Sequence, residues 1–329
     1  MTSSGSSFPP AAGARILSLG GYQPGNVVTN DDLAAQVETS DEWIRSRVGI
    51  VSRRFAGPEE SVTDMAFEAG AKALAGSGLS PGDIDLVIVA TCSTETLIPN
   101  VSAVVAYRLG IVAPGAYDLN AACAGFCYAM ANASDAIRAG TARHVLVIGS
   151  EKMSAWVDPT DRSTSIIFAD GAGAAVVGPV ADGEPPGIGP VAWGSAGDLA
   201  DKITIADRNS FLHQEGQAVF RWATTRVAPV ALRAIELAGL TPSDIDVLVP
   251  HQANLRIVEA VAKRLRSKGA RDDLRVADDI VHSGNTSSAS IPLALDHMRT
   301  QGRLRSGETV LLVGFGAGLS YAAQVVVCP

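Results

Sequence analysis

Two stretches of the chain repeat each other so closely that they constrain the whole fold. Residues 78–92 read GLSPGDIDLVIVATC, and residues 239–253 read GLTPSDIDVLVPHQA. Each contains Gly-Leu-Ser/Thr-Pro-x-Asp-Ile-Asp followed by an apolar run, and each follows an alanine-rich stretch with helical periodicity. A helix, a capped turn and a strand are therefore predicted twice, 161 residues apart.

A second pair of segments supports a duplicated chain. RHVLVIGSE (143–151) and ETVLLVGFG (308–316) each read as a buried strand that ends at glycine. Alternating helices and strands predict an α/β fold with parallel-rich sheets that are covered by helices. The Pro- and Gly-rich segment 180–190 is the expected joint, so we predict halves at 14–180 and 181–329, preceded by a disordered tail at 1–13.

Charge and composition argue against several classes of protein. The chain has 329 residues, of which 47% are hydrophobic, and a net charge of −8 that disfavours nucleic acid as a partner. No long apolar run and no signal-peptide pattern is present, so we expect a cytoplasmic protein without a membrane segment. The four cysteines form no paired CxxC motif, and we therefore predict neither a disulfide framework nor a metal site.

Cys123 occupies a position that favours a chemical role. It lies in LNAACAGFCYAM (119–130), where a strand-like segment changes to a helix-like one. The free N–H groups and the positive dipole at a helix start lower the pKa of a thiol, so the sequence predicts a lowered pKa for Cys123. The alternative is a small buried residue, since free cysteine is commonly buried.

Three other loops carry polar or glycine-rich motifs near predicted strands. His251 follows DVLVP, Asn285 lies in HSGNTSSASIP, and FGAG (315–318) follows TVLLVG. Active sites of such folds collect at the carboxyl ends of strands, so these loops and Cys123 are expected at one site. Cysteine, histidine and asparagine in this order suit either a papain-like hydrolase or a condensing enzyme that holds an acyl group on cysteine. The duplicated α/β halves favour the condensing enzyme.

Six motifs, in the right order, closely resemble β-ketoacyl-[acyl carrier protein] synthase III of the thiolase superfamily. They are SDEWIRSRVGI (40–50), ACAGF around Cys123, DPTDRSTSIIFADGAGA (158–174), PHQANLRI around His251, GNTSSASIP around Asn285 and GFGAG (314–318). The resemblance implies a five-layered αβαβα fold from two duplicated halves, a homodimer, and decarboxylative condensation of an acyl-CoA starter with malonyl-[acyl carrier protein]. This reaction serves fatty acid initiation or polyketide priming. Coenzyme A is then a substrate, and no tightly bound cofactor is expected. Transfer of the acyl group to another acceptor, without decarboxylation, stays open as an alternative.

The same resemblance implies roles for individual residues. Cys123 takes the acyl group, and His251 and Asn285 hydrogen-bond the malonyl thioester carbonyl as CO₂ leaves. The backbone N–H groups of Cys123 and Ala317 form the oxyanion hole. Trp43 and Arg162 enclose the adenine of CoA, and the further CoA-binding positions are Thr39, Arg47 and Asn254.

Two further surfaces follow from helix spacing and from the resemblance. Arg256, Lys263 and Arg264 are spaced by seven and eight residues and share one basic helix face, which is either a solvated face or a docking site for an acidic carrier protein. The resemblance implies carrier docking there. It also implies an acyl pocket that contains Cys92, Met153 and Ile98 of the partner subunit.

Overall fold

The computed structural model describes residues 8–329 and consists of alternating strands and helices. The strands are β1 (Ala14–Tyr22), β2 (Asn26–Thr29), β3 (Ser52–Phe55), β4 (Leu86–Ala90), β5 (Gly115–Leu119), β6 (Val145–Lys152), β7 (Asp170–Pro179), β8 (Ala192–Gly194), β9 (Ile203–Thr204), β10 (His213–Gln214), β11 (Val247–Pro250), β12 (Arg275–Val276), β13 (Thr309–Phe315) and β14 (Tyr321–Val327). The α-helices are α1 (Asn30–Ala34), α2 (Asp41–Val48), α3 (Val62–Ser77), α4 (Val101–Arg108), α5 (Gly125–Arg138), α6 (Arg162–Ser165), α7 (Gly216–Leu237), α8 (Leu255–Arg266), α9 (Ile280–Ser283) and α10 (Ser290–Thr300).

Two five-stranded sheets have the same topology. The first has the order β5-β4-β6-β7-β1 and the second the order β12-β11-β13-β14-β8. In both, the first three strands are parallel and the last two run antiparallel to their neighbours. The predicted α/β fold of two duplicated halves is therefore confirmed, with sheets that are mixed rather than purely parallel. The first sheet uses strands from 14–179 and the second strands from 192–327.

Helices separate and cover the two sheets in five layers. Helices α3 and α4 pack on the outer face of the first sheet, and α7 and α8 on the outer face of the second. Helices α5 and α10 lie between the sheets. Because α5 is buried on both sides, it carries small residues such as Ala129 and Ala133 beside Phe126 and Met130, all of which are fully buried. Close packing of this central layer fixes the loop that precedes α5.

The repeated Gly-Leu-Ser/Thr-Pro sequence forms the same turn in each half. Gly78 and Gly239 end α3 and α7 with a φ angle of 72° at each position, a left-handed conformation that glycine adopts readily. In the following 3₁₀ turns, the side chains of Asp83 and Asp244 each accept a hydrogen bond of 2.8 Å from the N–H of the capping residue. The chain then enters β4 and β11, as the sequence predicts.

The structure describes only part of the predicted disordered tail at 1–13. Residues 1–7 of this tail lie outside the described residues. In 8–13, where no strand or helix forms, the Phe8 N–H donates to the Gly140 carbonyl over 3.0 Å and Gly13 is buried. This segment is therefore attached to the first half by backbone contacts, which differs from a disordered tail. Across the described residues, no helix has both the length and the apolar character needed to cross a membrane.

Candidate active site

One large cavity brings together the residues that the sequence placed at a common site. Cys123, His251 and Asn285 all line this cavity, whose volume is about 1380 Å³. Their loops follow β5, β11 and α9, so both halves of the chain contribute. Ala317 of the predicted oxyanion hole lines the same cavity. The structure therefore brings the sulfur, the imidazole and the carboxamide to one space, as a common reaction centre requires.

Cys123 lies in a 3₁₀ turn (Ala122–Ala124) immediately before α5. The pKa of its thiol is raised to about 12, chiefly because burial disfavours the thiolate, and the charge of Glu151 adds to the increase. Hydrogen bonding from Ser287 and from the N–H groups of Cys123 and Ala317 opposes the increase without cancelling it. The prediction of a lowered pKa was therefore wrong: loss of water around the sulfur outweighs the N–H groups of the helix start.

The predicted oxyanion-hole donors both act on the Cys123 sulfur. The N–H of Cys123 and the N–H of Ala317, which opens the 3₁₀ turn after β13, lower the pKa of this thiol by hydrogen bonding. Gly316 permits this close approach: a Cβ atom there would lie 2.7 Å from Cys123 Cβ and 3.0 Å from Sγ. Two N–H groups beside one sulfur can also stabilise negative charge on the oxygen of a thioester bound to it.

His251 is buried and neutral. Its side chain is 2% exposed, and burial lowers its pKa to about 3. Nδ1 lies 2.7 Å from Ser290 Oγ, which also accepts a hydrogen bond from the Gln252 N–H over 3.3 Å. Within residues 8–329 the Ser290 hydroxyl contacts no acceptor other than His251 Nδ1, so we assign the serine proton to that contact and the imidazole proton to Nε2. Phe315 packs edge-on against the ring, with centroids 5.2 Å apart.

Asn285 is held so that its amide donor stays free. Its Oδ1 accepts a hydrogen bond of 2.9 Å from the Ser287 N–H, and its Nδ2 has no hydrogen bond to any residue in 8–329. Backbone bonds from Asn285 N to Ile167 O and from Ala169 N to Asn285 O fix the loop. Asn285 is 4% exposed and lines the cavity. It therefore presents an N–H donor, as His251 does.

Glu151 organises the floor of the site, and the sequence reasoning did not single it out. This fully buried carboxylate at the end of β6 accepts hydrogen bonds from Ser287 Oγ at 3.0 Å and Ser288 Oγ at 2.7 Å. It also accepts from the Cys92 N–H at 3.1 Å. Since Ser287 in turn positions Asn285, Glu151 links the strands of the first half to the Asn285 loop. The only signal in the sequence was an acidic residue inside an apolar strand.

Three of the five predicted CoA residues line the cavity, and a fourth contacts one of these three. The Arg162 guanidinium stacks over the Trp43 ring at 4.8 Å, and Arg47 lies 5.5 Å from the same ring. Asn254 donates from Nδ2 to the Arg47 carbonyl over 3.2 Å, and the buried Thr39 Oγ1 has no partner within the described residues. Trp43, Arg47 and Asn254 line the cavity, whereas Thr39 and Arg162 do not. Arg162 and Trp43 contact each other directly, so an adenine has to separate them.

The predicted acyl-pocket residues divide into two groups. Cys92 and Met153 line the cavity, and Cys92 Sγ lies 3.6 Å from Ser287 Oγ, the hydroxyl that also lowers the pKa of Cys123. Ile98 does not line the cavity of the single chain, and the residue is 86% exposed.

The basic residues of α8 face solvent, as their spacing predicts. Arg256, Lys263 and Arg264 are exposed, while Ile257, Val258, Val261, Ala262 and Leu265 bury the opposite face. Arg256 also lines the cavity and lies over the Phe220 ring at 5.6 Å. Arg221 on α7 is exposed at the same cavity and was missed, because nothing in the sequence indicates that α7 and α8 are neighbours.

Within residues 8–329, no cluster of three or more His, Cys, Asp or Glu side chains could hold a metal ion.

Comparison with known proteins identifies the family. Residues 117–197 match the family model of 3-oxoacyl-[acyl-carrier-protein] synthase III, and residues 235–328 match the model of its C-terminal region. The chain is 54% identical to β-ketoacyl-[acyl-carrier-protein] synthase III 4 of Streptomyces coelicolor, over 96% of this chain and 99% of that protein. It is 49% identical to the mycobacterial β-ketoacyl-[acyl-carrier-protein] synthase III of Mycobacterium avium, over 95% of each.

Solved structures agree with the sequence comparison. The priming β-ketosynthase of the R1128 polyketide biosynthetic pathway superposes with a TM-score of 0.92 at 42% identity, covering 98% of each chain. The 3-oxoacyl-(acyl carrier protein) synthase III of Pseudomonas aeruginosa superposes with a TM-score of 0.90 at 40% identity, covering 96% of this chain and 98% of that one. A papain-like hydrolase is thereby excluded. The sequence, the two matching sheets and the cavity between the halves place this chain in the 3-oxoacyl-[acyl-carrier-protein] synthase III family.

Proposed function

We propose that this chain condenses an acyl-CoA starter with malonyl-[acyl carrier protein] and gives a 3-oxoacyl-[acyl carrier protein], in fatty acid initiation or polyketide priming. The observation that carries the proposal is the single cavity that Cys123, His251 and Asn285 line together, with Asn285 Nδ2 unbonded and the imidazole proton assigned to His251 Nε2. A papain-like hydrolase needs a histidine that takes up a proton from the cysteine, whereas burial lowers the pKa of His251 to about 3.

The first step is transfer of the acyl group to Cys123. The sulfur bonds to the thioester carbon, the bond from that carbon to the CoA sulfur breaks, and the thiol proton ends on the CoA sulfur. The N–H groups of Cys123 and Ala317 stabilise the oxyanion that forms on the way. Because the pKa of the free thiol is about 12, the proton leaves during attack rather than beforehand.

The second step forms the carbon–carbon bond. The malonyl thioester oxygen accepts hydrogen bonds from His251 Nε2 and Asn285 Nδ2. The bond between the malonyl α-carbon and its carboxylate then breaks, CO₂ is released, and an enolate remains. Its carbon attacks the acyl–Cys123 carbonyl, the carbon–sulfur bond breaks, and the thiolate regains a proton from solvent. Each donor contributes about 3 kcal/mol to stabilising the enolate, as measured for oxyanion-hole donors.

The outer cavity and α8 supply binding surfaces for the two substrates. Trp43 and Arg162 would enclose the adenine of CoA after they separate, since both indole and guanidinium stack on aromatic bases. Thr39, with its unpartnered hydroxyl, and Arg47 would bind the polar part of CoA nearby, next to Asn254. The exposed face of Arg256, Lys263 and Arg264 would dock the acidic carrier protein beside the cavity mouth.

A homodimer is part of the proposal. Leu97, Ile98, Tyr107 and Val112 are each more than three-quarters exposed around the edge strand β5, where a single chain leaves apolar side chains in water. Pairing of this face with a second copy would cover these residues and bring Ile98 of the partner subunit toward the acyl pocket.

Intact-mass measurement tests the function in two stages. Incubation with acyl-CoA should add one acyl group to the wild-type chain, and Cys123→Ala should abolish the addition. Malonyl-[acyl carrier protein] should then discharge the acyl group with release of CO₂ as a β-keto product. Asn285→Ala should keep the acylation and slow decarboxylation by about 100-fold. Discharge to another acceptor without CO₂ would favour acyl transfer, and unchanged decarboxylation in Asn285→Ala would contradict the role of this donor.

A further inference from the structure

Trp156 stands between the main cavity and a second cavity of about 290 Å³. Trp156 and Arg208 line both cavities, whereas the remaining residues of the second cavity do not line the first. Those residues are Glu95, Ala155, Asn209, Ser210 and Phe211. Arg208 is exposed, while Trp156 is partly buried. The indole therefore forms the inner part of the wall between the two spaces.

Three hydrogen bonds hold Trp156 in this wall. Its backbone N–H donates to Met153 O over 3.0 Å, and its carbonyl accepts from the Leu212 N–H over 2.7 Å. The indole Nε1–H donates to Ser93 O over 3.0 Å. Because both ends of the residue and the ring itself are bonded, the wall is rigid rather than an exposed side chain that can swing away.

The wall adjoins two of the predicted acyl-pocket residues, because Trp156 donates to the carbonyl of Met153 and to that of Ser93, which follows Cys92. Ser287 Oγ lies 3.6 Å from Cys92 Sγ and also lowers the pKa of Cys123, and burial and the charge of Cys123 raise the pKa of Cys92, so the two sulfurs are neighbours. The residue after Cys92 is Ser93, whose carbonyl binds the indole. Cys123, Cys92, Met153 and Trp156 all line the main cavity, so the predicted acyl pocket connects the reactive sulfur with Trp156.

We propose that Trp156 closes the far end of the acyl pocket and sets the longest acyl group that Cys123 accepts; this inference rests on the proposed function. An indole that blocks an otherwise continuous space excludes methylene groups by contact, and one methylene changes selectivity by about 10-fold or more in a tight pocket. The space behind it is about ten times the ~30 Å³ of one water molecule, and Phe211 offers an apolar surface there.

The test measures Cys123 acylation by intact mass with straight-chain acyl-CoAs from acetyl to dodecanoyl. Wild type should show a sharp length limit. Trp156→Ala and Trp156→Leu should acylate at lengths beyond that limit at least about 10-fold faster than wild type, with acetylation retained as the measure of a folded site. Trp156→Phe should keep the wild-type limit, because a ring still fills the wall. The matched control Phe211→Ala enlarges only the second cavity and should also keep the limit.

The possible failures are distinguishable. If wild type and both small variants accept short acyl groups with the same length limit, Trp156 does not close the pocket and the inference is wrong. An equal shift caused by Phe211→Ala would also overturn it, because the limit would then lie in the second cavity. If no acyl-CoA labels the wild-type chain at any length, the proposed function fails, and the inference fails with it.

Discussion

Removing the imidazole of His251 should change how the stability of the protein depends on pH. Burial lowers the pKa of His251 to about 3, whereas an unfolded chain has the ordinary value of 6.5. Below pH 6.5 the unfolded state therefore binds a proton that the folded state does not, and stability falls as the pH falls. Between pH 6.5 and 5 this amounts to about 2 kcal/mol, at about 1.4 kcal/mol for each pH unit.

The assay compares free energies of unfolding in urea at pH 8 and pH 5, at one protein concentration because subunit association shifts apparent stability. In wild type, the difference in unfolding free energy between pH 8 and pH 5 includes the contribution of His251. In His251→Gln, which keeps a neutral amide at the site, the difference should be smaller by about 2 kcal/mol. Any constant loss of stability in the variant cancels in this comparison.

His297 provides a control with the opposite sign. Burial disfavours its charge, but the hydrogen bond and charge of Asp279, 2.7 Å from Nδ1, outweigh burial and raise the pKa of His297. The contribution of His297 to stability is complete below pH 6.5 and is lost as the pH rises through the folded-state pKa. His297 therefore stabilises the protein more at pH 5 than at pH 8, and His297→Gln should enlarge the difference in unfolding free energy between pH 8 and pH 5. An unchanged difference in His251→Gln would refute the reasoning, because His251 would then titrate normally and would not be a permanently neutral donor.

Three further predictions concern geometry that the structure defines. Gly316→Ala places a Cβ atom 3.0 Å from the Cys123 sulfur and should slow acylation by about 100-fold, whereas Gly197→Ala, which meets no atom within 4 Å, should not. Ser290→Ala removes the hydrogen bond to His251 Nδ1 and should slow decarboxylation by about 10-fold while sparing acylation, and Ser290→Thr should restore the rate. Ile98→Glu places a charge in the exposed apolar face and should halve the mass measured by light scattering; a wild-type monomer would contradict the proposed dimer.

Much of the fold could be predicted because short sequence patterns specify its local structure. The Gly-Leu-Ser/Thr-Pro repeat specifies a helix end, a capped turn and a strand within fifteen residues, and two copies predict two equivalent halves. The grouping of Cys123, His251 and Asn285 also followed, because loops at the carboxyl ends of strands meet in such folds. The antiparallel strands β7 and β1 were not predicted, since strand direction depends on long-range pairing.

By itself, the sequence determined the duplicated architecture and the residue types that can perform the reaction. Only the tertiary structure decided their pKa values and which other residues line the cavity. The pKa of Cys123 rises although it precedes a helix, because water exclusion depends on neighbours from every layer of the fold. Glu151 and Trp156 carry no motif, and each is held by hydrogen bonds to residues that are distant in sequence, Ser288 and Ser93 among them. Such contacts arise from packing, so a local pattern cannot reveal them.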